Sequence, residues 1–260
     1  MREMGARTSN SPVGALGPDG APTRPVHDVA VANRLLRALP PDELGRMLPD
    51  LVHTRLESGH VLSEPNEIAG RVYFPAGCVV SVVNEMGPSE AAEVGTIGLE
   101  GMAGLAAFLD ADSIPSRVLV QVPGEALSLD ARRLREHAEA LPGLHRLLHR
   151  YAQAFLIQVG QTASCNRLHE IDRRCARWLL MTHDRVGRDT FMLTHEFLSF
   201  MLGVRRAGVT VAAGMLQRAG LIRYTRGRVS IVDRAGLEGA ACDCYGIVRD
   251  QFDRLLGTPA

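Results

Sequence analysis

The chain has no lysine: its 29 strongly basic side chains are all arginines, and 29 aspartates and glutamates balance them. It also lacks any run close to the roughly 20 apolar residues that a membrane-spanning helix requires. No basic segment followed by an apolar one opens the chain, as a secretory signal peptide would. These absences predict a cytoplasmic protein with no membrane partner.

Cysteine is scarce and odd in number, which argues against a disulfide framework in a chain of 260 residues. The five cysteines are scattered, at Cys78, Cys165, Cys175, Cys242 and Cys244. Cys242 and Cys244 stand two apart, a spacing that sends them to different faces of a helix. A metal site would then need Cys165, Cys175 or a partner chain. We expect reduced thiols, no metal and no cofactor.

Histidine offers one further candidate for ligation. His145 and His149 stand four apart on a predicted helix and could share a metal or haem, although exposed histidines at this spacing are common. His169 and His183 carry still less signal as ligands. We leave the pair as an open alternative.

Acidic residues are absent from Phe197 to Val232, although the net charge of the whole chain is zero. Six arginines fall inside this window: Arg205, Arg206, Arg218, Arg223, Arg226 and Arg228. A basic segment within a neutral protein is typical of a polyanion site on one domain. Arg205 and Arg206 open a predicted helix, where the macrodipole disfavours cations by a few tenths of a kcal/mol. An anionic partner at this helix start would reverse that penalty.

Composition divides the chain into segments. Residues 1–28 are rich in Gly, Pro, Ser and Thr without an apolar period, which predicts a disordered tail. Residues 29–142 contain short apolar runs separated by Gly and Pro, and Val118, Val120 and Val122 alternate like a half-buried strand. Many short strands at such spacing predict an antiparallel sandwich or barrel of the jelly-roll type, which we interpret as a sensor domain.

Residues 143–167 show a helical period and predict a long dimerisation helix with a hinge. Apolar and small polar residues step by four and three along it, the seam spacing of a coiled coil: Leu144, Leu148, Tyr151, Phe155, Gln158 and Thr162. A helix packed only on its own barrel would give a similar stripe, so this alternative stays open. We expect a helix that packs both on the barrel and on a second copy, giving a homodimer.

Residues 168–240 predict a winged helix-turn-helix, and residues 241–260 a C-terminal helical tail. Thr194 can cap a helix ending near Met201, and a tight turn leads to a second helix from Arg205 to about Ala219. The alternating stretch "LIRYTRGRVSIV" predicts a hairpin with Arg226, Gly227 and Arg228 at its tip. The whole is an α+β protein whose second helix would enter the major groove of double-stranded DNA. An arginine-rich, solvated helix hairpin is the alternative.

The predicted DNA contacts fall into two groups. The side of the second helix opposite its apolar face would read bases, through Arg206, Ala207, Thr210 and Val211. Phosphate contacts are predicted from the first helix, the start and end of the second, and the wing: Thr194, His195, Ser199, Arg205, Arg218, Arg226 and Arg228.

The stretch "LTHEFLSFMLGVRRAGVTVAAGMLQRAGLI" resembles, without gaps, the helix-turn-helix of the Crp/Fnr family of bacterial transcription regulators, and the resemblance extends from about Asn33 to Val232. It implies a cyclic-nucleotide-binding-like barrel and RNA polymerase as a further partner. The family's base-reading positions fall on Arg206, Ala207 and Val211, and its phosphate contacts include Thr194, His195 and Arg205. Well-known members have an acidic residue and a second arginine at the positions of Ala207 and Val211, so the preferred operator should differ.

The sensor segment departs further from that family. Its glycine-rich stretch and nearest charged residues give a candidate effector pocket: Gly98, Glu100, Gly101, Gly104 and Arg117. The resemblance places Leu105 and Ile114 near where cyclic-nucleotide binders carry a glutamate and an arginine, so we expect an unidentified small-molecule effector instead. The family's iron–sulfur alternative needs an N-terminal cysteine cluster, which this sequence lacks.

A cupin-like barrel enzyme with an accessory helical domain is the alternative function. Cupin metal sites need clustered histidines, yet His53 and His60 are the only histidines between Leu51 and Asp130. Neither G-x-S-x-G, a P-loop nor H-E-x-x-H occurs in the sequence. We therefore expect a DNA-binding regulator without enzymatic activity.

Overall fold

The computed structural model describes residues 24–87, 90–111 and 113–257. Three short helices open it: α1 (Val26–Ala32), α2 (Arg34–Arg37) and α3 (Pro41–Met47). Asn33, between the first two, is buried; its side chain caps α2 and donates to the carbonyls of Pro75 (2.8 Å) and Gly101 (2.9 Å). Because α1 begins at Val26, the boundary of the predicted tail at residue 28 was slightly late, and residues 1–23 lie outside the described residues.

Seven antiparallel strands follow, in two sheets. The strands are β1 (Val52–Leu56), β2 (Val61–Ser63), β3 (Arg71–Pro75), β4 (Val79–Gly87), β5 (Glu90–Ile97), β6 (Arg117–Val122) and β7 (Gly124–Asp130). One sheet has the order β1-β7-β3 and the other β2-β6-β4-β5. Leu56 and Ala126 of the first sheet pack with Val120 of the second, so side chains of both sheets share a core. The arrangement is a sandwich of the predicted antiparallel type, called the sandwich below.

Strand β6 is more deeply buried than its alternation predicts. Val118 and Val120 lie in clusters of the sandwich, whereas Leu119 and Val122 share a cluster with residues of the C-terminal domain, and Gln121 is buried as well. The C-terminal domain therefore covers one side of this strand. Sequence alternation shows which residues share a face of a strand, but it does not show whether the polar face is solvated.

Three longer helices come next: α4 (Ala131–Ala140), α5 (Pro142–Leu168) and α6 (Ile171–Val186). Proline at the first position of α5 suits a helix start, and the Glu43 carboxylate of α3 accepts hydrogen bonds from the backbone N–H groups of Gly143 (2.9 Å) and Leu144 (2.8 Å). Helix α5 therefore matches the long helix predicted for residues 143–167, with its ends one residue further out.

The structure corrects the predicted dimer seam on α5. Leu144, Leu148 and Tyr151 are completely or almost completely buried within their own chain. The Tyr151 hydroxyl donates to the carbonyl of Met102 (2.8 Å), beside the sandwich. The alternative left open above is therefore the correct one for these residues, because a 4-3 stripe shows that one helix face is apolar but not what covers it.

The other three predicted seam residues contact the sandwich or α6 of the same chain. Gln158 is fully buried and donates to the carbonyl of Thr96 (2.9 Å). Phe155 lies directly over Gly95, where an added Cβ would come within 2.6 Å of the ring. Thr162 accepts a hydrogen bond from Arg177 (3.0 Å). Leu144, Leu148, Tyr151 and Gln158 are thus buried within one chain, whereas Phe155 and Thr162 are half-buried.

The C-terminal part contains a small three-stranded sheet and four helices. Its elements are β8 (Thr190–Met192), α7 (His195–Leu202), α8 (Arg206–Arg218), β9 (Ile222–Thr225), β10 (Arg228–Ile231), α9 (Arg234–Ala240) and α10 (Cys244–Leu256), with strand order β8-β10-β9. The two helices, their turn and the hairpin agree with the predicted winged helix-turn-helix to within about one residue.

Helix α10 is part of the core, whereas the sequence predicts a C-terminal tail. Val248, Phe252 and Leu256 are buried in the same hydrophobic cluster as Leu144 and Leu148 of α5. Its Asp253 also pairs with Arg34 of α2 at 2.8 Å. Helix α10 therefore packs back on the long helix and on the N-terminal helices.

No helix within the described residues is long and apolar enough to cross a membrane.

Candidate DNA-binding site and effector cavity

Helix α7 begins and ends on local signals. The Thr194 hydroxyl accepts from the backbone N–H of Phe197 (3.0 Å), an N-cap that satisfies one otherwise unpaired donor. Gly203 then adopts the left-handed conformation (φ 60°) and ends the helix. An added Cβ at this position would also lie 3.3 Å from Ala92 of β5. The glycine thus permits both the turn and the close approach of the sandwich.

Helix α8 presents two different faces. Val209, Ala212, Ala213 and Leu216 are buried, as predicted from their spacing. On the opposite side the predicted base-reading residues are all exposed: Arg206, Ala207, Thr210 and Val211. Val211 exposes 61% of its surface and Met215, one turn further on, 45%. A short, mostly apolar exposed face with an arginine at its start suits the edges of bases.

The guanidinium groups around α8 are free to bind an anion. Arg205, Arg206, Arg218 and Arg226 are exposed, and none of them has an ion pair with a carboxylate among the residues that the structure describes. Arg205 occupies the N-cap position of α8 without a side-chain cap, so unpaired backbone N–H groups stand beside two arginines. This combination is a typical phosphate-binding environment.

His195 contacts α8 from the first helix. Its Nδ1 lies 3.1 Å from the Thr210 hydroxyl, its ring packs on Tyr224 with 4.4 Å between centroids, and its Nε2 is buried without a hydrogen-bond partner within the described part of the chain. Burial and, second, the charge of Arg206 lower the pKa of His195 from 6.5. These contacts hold the ring between α7, α8 and the hairpin strand that carries Tyr224.

The wing is a tight hairpin. Arg226 (φ 50°) and Gly227 (φ 74°) both have positive φ, as in the two-residue type I′ turns that join twisted strands. Arg226 and Arg228 are exposed at its tip, and the Gly227 carbonyl accepts from the Leu193 backbone N–H (2.7 Å), just before α7. The wing is thus fixed to the start of the first helix.

The predicted phosphate contacts divide into three places. Thr194 and His195 lie at the start of α7 beside the wing, and the wing carries its own two arginines. Ser199 and Arg205 line a cleft between α7 and the β4–β5 hairpin of the sandwich, where the Ser199 hydroxyl donates to the Glu196 carbonyl (2.7 Å). Arg218 stands apart, at the far end of α8.

Comparisons with known proteins agree with this geometry. Residues 173–240 match the family model of the Crp-like helix-turn-helix domain. The chain has the Crp/Fnr regulator fold. Its C-terminal domain is accordingly a helix-turn-helix DNA-binding domain.

Solved structures of this fold are similar over most of their length. FixK2 from Bradyrhizobium japonicum has 14% sequence identity to this chain. The match spans 74% of this chain and 98% of FixK2, with a TM-score of 0.64. A putative Crp/Fnr regulator from Eubacterium rectale has 17% identity, coverages of 79% and 96%, and a TM-score of 0.60. A CRP-family regulator from Thermus thermophilus has 22% identity, coverages of 72% and 96%, and a TM-score of 0.60. No curated protein sequence matches the chain.

A cavity of about 600 Å³ lies between the sandwich of this Crp/Fnr fold and helix α5. Its walls are mainly apolar, with Tyr73, Ile97 and Val118 on the sandwich side and Phe155 and Leu156 on the helix. Its few polar groups include Glu67, Arg71, His149 and Gln153. A volume and lining of this kind suit a mostly apolar small molecule.

Most of the predicted effector residues lie outside this cavity. Gly104 lines it. The side chain of Arg185 packs against Gly98 and the ring of Tyr151 against Gly101, each so closely that a Cβ on the glycine would overlap it. Glu100 is buried against Arg185, away from the cavity lining.

Arg117 also has other partners. It pairs with Glu64 (2.8 Å) and Glu85 (2.6 Å) at the edge of the sandwich. Hydrogen bonding to Glu64, together with the charge of Glu85, raises the pKa of Arg117 further. Glu100 and Arg117 are both engaged by other protein side chains, so these two residues are not brought together as a glutamate–arginine pair for a cyclic nucleotide.

The histidine pair of α5 packs as aromatic rings. His145 and His149 stack with centroids 4.6 Å apart, and Phe108 meets both edge-on. The His149 Nδ1 lies 3.0 Å from the carbonyl of His145. This stacking accounts for the four-residue spacing without a metal or haem.

A buried polar interface joins the sandwich to α6. The Glu93 carboxyl is fully buried and accepts from Ser81 (2.5 Å) and from the indole of Trp178 (2.7 Å), while the Gln121 amide donates to Thr182 (3.1 Å). Burial raises the pKa of Glu93 above its ordinary value of 4.5, although these hydrogen bonds and the charge of Arg185 oppose the shift.

Arg185 is the second centre of this interface. Its guanidinium lies 2.8 Å from the Glu100 carboxylate, donates to the Gln158 side chain (2.9 Å) and to the Met181 carbonyl (2.8 Å), and is almost completely buried. These contacts connect the segment after β5, the long helix α5 and helix α6 of the DNA-binding domain. These contacts could not be predicted from the sequence, because no local pattern indicates which of the 29 arginines faces Glu100 or that Trp178 faces Glu93.

Proposed function

We propose that the protein is a homodimeric transcription regulator that reads an inverted-repeat operator with α8 and responds to a mostly apolar small molecule. The observation that carries the proposal is the exposed face of α8, headed by two unpaired arginines in a domain with the Crp-like helix-turn-helix pattern. As a regulator of this fold it would act on bacterial DNA in the cytoplasm and have RNA polymerase as a further partner. An enzymatic role gains no support from the cavity, since His149 is the only histidine among its lining residues.

Base reading would begin with Arg206. Its exposed guanidinium can form a bidentate pair with the O6 and N7 atoms of guanine. Ala207 and Val211 follow on the same exposed face, where small or apolar side chains pack against thymine methyl groups. Arg226 at the wing tip would contact a phosphate beside these bases.

The dimer would use the solvent side of α5. Ala152, Leu156, Val159 and Ala163 step by four, three and four along it, and Leu156 exposes 64% of its surface. This is the seam spacing of two parallel helices, with small residues that allow close approach. Because Ala152, Leu156 and Val159 also line the cavity, the second copy would help to enclose the effector.

A randomised-operator selection tests base reading. Replacing Arg206 by alanine should cost about 1 to 3 kcal/mol on the preferred site and relax the preference at one base pair of each half-site. The matched control is Arg226→Ala, which removes an exposed arginine at the wing. It should weaken binding to all sequences alike and lower the slope of log K against log salt by about one unit.

The selected site should be an inverted repeat with half-sites about 10 to 10.5 base pairs apart, centre to centre. A protein with Arg206→Ala that keeps the full preference at every position would show that α8 does not read bases through this side chain. Preferred sites without two-fold symmetry would contradict the dimer.

A further inference from the structure

Four side chains with metal-binding atoms converge where α5 meets the start of α10. They are Cys165, His169, Cys242 and Cys244, and their ligand atoms all lie within 4.8 Å of one another. Cys165 and His169 stand four apart at the end of α5, hence on one face. Cys242 lies in the loop before α10, and Cys244 is the first residue of that helix.

The expectation of no metal site rested on placing Cys242 and Cys244 on opposite faces of one helix. The structure corrects that premise, because Cys242 precedes the helix and its backbone is free to turn the thiol inwards. His169, which carried little signal in the sequence, is brought to the cluster as the C-cap residue of α5. Cys165 and Cys242 lie 77 positions apart and His169 and Cys244 lie 75 apart, so the short spacing within each pair does not show that the two pairs meet.

Two of the distances within the cluster are close to those around a tetrahedral zinc ion. Zn–S bonds of about 2.3 Å and Zn–N bonds of about 2.0 Å place neighbouring sulfurs about 3.8 Å apart and a sulfur and nitrogen about 3.5 Å apart. The Cys165 and Cys242 sulfurs are separated by 3.5 Å, and so are the Cys244 sulfur and His169 Nδ1. The geometry points to a structural Zn²⁺ site of the Cys₃His type, and we propose that this protein binds one zinc ion there.

The surroundings suit a closed site with a net negative charge. The three cysteines are almost completely buried. Three thiolates around one divalent cation leave one negative charge, and two buried arginines of α6, Arg174 and Arg177, interact electrostatically with Cys165. Neither arginine has a carboxylate partner within the described residues, and the Nε atom of each lacks a hydrogen-bond partner there. An anionic metal centre would give these cations their counter-charge.

A second layer of contacts is also present. The Gln161 amide donates to the Cys244 sulfur at 3.1 Å, the kind of hydrogen bond that orients a thiolate ligand. Soft thiolates with one imidazole in a tetrahedral arrangement favour zinc over the harder divalent ions. A disulfide between Cys165 and Cys242 would use only two of the four groups and would leave the arginines without an anion.

The ion would fix the hinge between the two domains. His169 ends α5, and Glu170 is the N-cap of α6, so ligation of His169 would hold the angle at which the DNA-binding domain leaves the long helix. Cys242 and Cys244 would at the same time anchor the start of α10 to that hinge. This inference stands on the cluster alone and does not depend on the proposed operator or effector.

The test is the metal content of the full chain purified under reducing conditions, with cobalt as a spectroscopic probe. We expect one zinc per chain in the wild type and in Cys175→Ser, the matched control that removes a buried cysteine of α6 outside the cluster. Cys244→Ser should retain less than a tenth of that zinc. Gln161→Ala should keep all four ligands but bind zinc about 10- to 100-fold more weakly.

Cobalt(II) added to the metal-free wild type should give thiolate charge-transfer bands and the intense ligand-field bands of tetrahedral cobalt. This measurement uses the intact chain, so it decides the matter even if Cys244→Ser fails to fold. Reduced wild type with neither zinc nor these bands would overturn the proposal. A Cys165–Cys242 disulfide in protein prepared without oxygen would also overturn it, as would zinc retained in full by folded Cys244→Ser. Iron bound at the site would overturn the choice of metal.

Discussion

Replacing Glu100 by glutamine should destabilise the protein strongly although the change is nearly isosteric. The carboxylate lies 2.8 Å from the Arg185 guanidinium, and both side chains are more than nine-tenths buried. Removing one partner of such a pair costs about 3 to 5 kcal/mol, because the other charge stays buried without compensation. Arg185 keeps hydrogen bonds to Gln158 and to the Met181 carbonyl, so we expect a loss near the lower limit, about 3 kcal/mol.

Urea unfolding at pH 7 of four proteins measures this directly: wild type, Glu100→Gln, Arg185→Met and the double variant. Because the double variant buries no unpaired charge, it should be more stable than the sum of the single losses predicts, with a coupling of about 2 kcal/mol or more. Asp250→Asn is the matched control, since its pair with Arg249 is exposed and should contribute less than about 1 kcal/mol.

A loss below about 1 kcal/mol for Glu100→Gln, together with coupling under about 0.5 kcal/mol, would refute the reasoning. Such a result would mean that water reaches Arg185 in solution and that the sandwich and α6 are not docked through this pair. A large loss without coupling would point instead to the hydrogen bond that Glu100 accepts from the Gly98 backbone N–H (3.1 Å).

Two further predictions concern the dimer and the pH dependence of stability. Leu156→Arg should give folded monomers in light scattering, whereas Leu148→Ala should stay dimeric and lose about 2 to 5 kcal/mol of unfolding free energy. The reverse pattern would restore the seam first predicted. The raised pKa of Glu93 means that the folded state holds a proton that the unfolded state releases, so stability should fall as the pH rises above 4.5 towards the folded-state pKa. Glu93→Gln should flatten this fall, and equal slopes in both proteins would contradict the assignment.

The DNA-binding domain could be predicted from the sequence because its signals are local. Thr194 caps the first helix, Gly203 ends it with a positive φ, and Gly227 forms the wing turn with Arg226. Each of these effects acts within a few residues of the chain. The apolar face of α8 then follows from helical spacing alone.

The dimer face, the cavity and the cysteine cluster depend on contacts between distant segments. The stripe from Leu144 to Thr162 packs on its own chain, with Leu144 in a cluster that includes α10 and Thr162 against α6, and only the fold distinguishes this from a partner helix. Glu100 occupies a stretch that reads as a ligand loop, yet its partner is Arg185, 85 residues further on. Periodicity cannot supply such pairings, since many arginines would satisfy the same carboxylate.

The position of Gln158 indicates how a molecule in the cavity would act on the DNA-binding domain. Its neighbours Phe155 and Val159 form part of the cavity wall, while its own amide donates to the Thr96 carbonyl and accepts from Arg185. A ligand that displaces this stretch of α5 would therefore act on the hydrogen bond between Gln158 and Arg185 of α6. A buried polar contact of this kind is either formed or broken, with few arrangements in between. An effector would thus select between a docked and a released DNA-binding domain by its differential affinity for the two states.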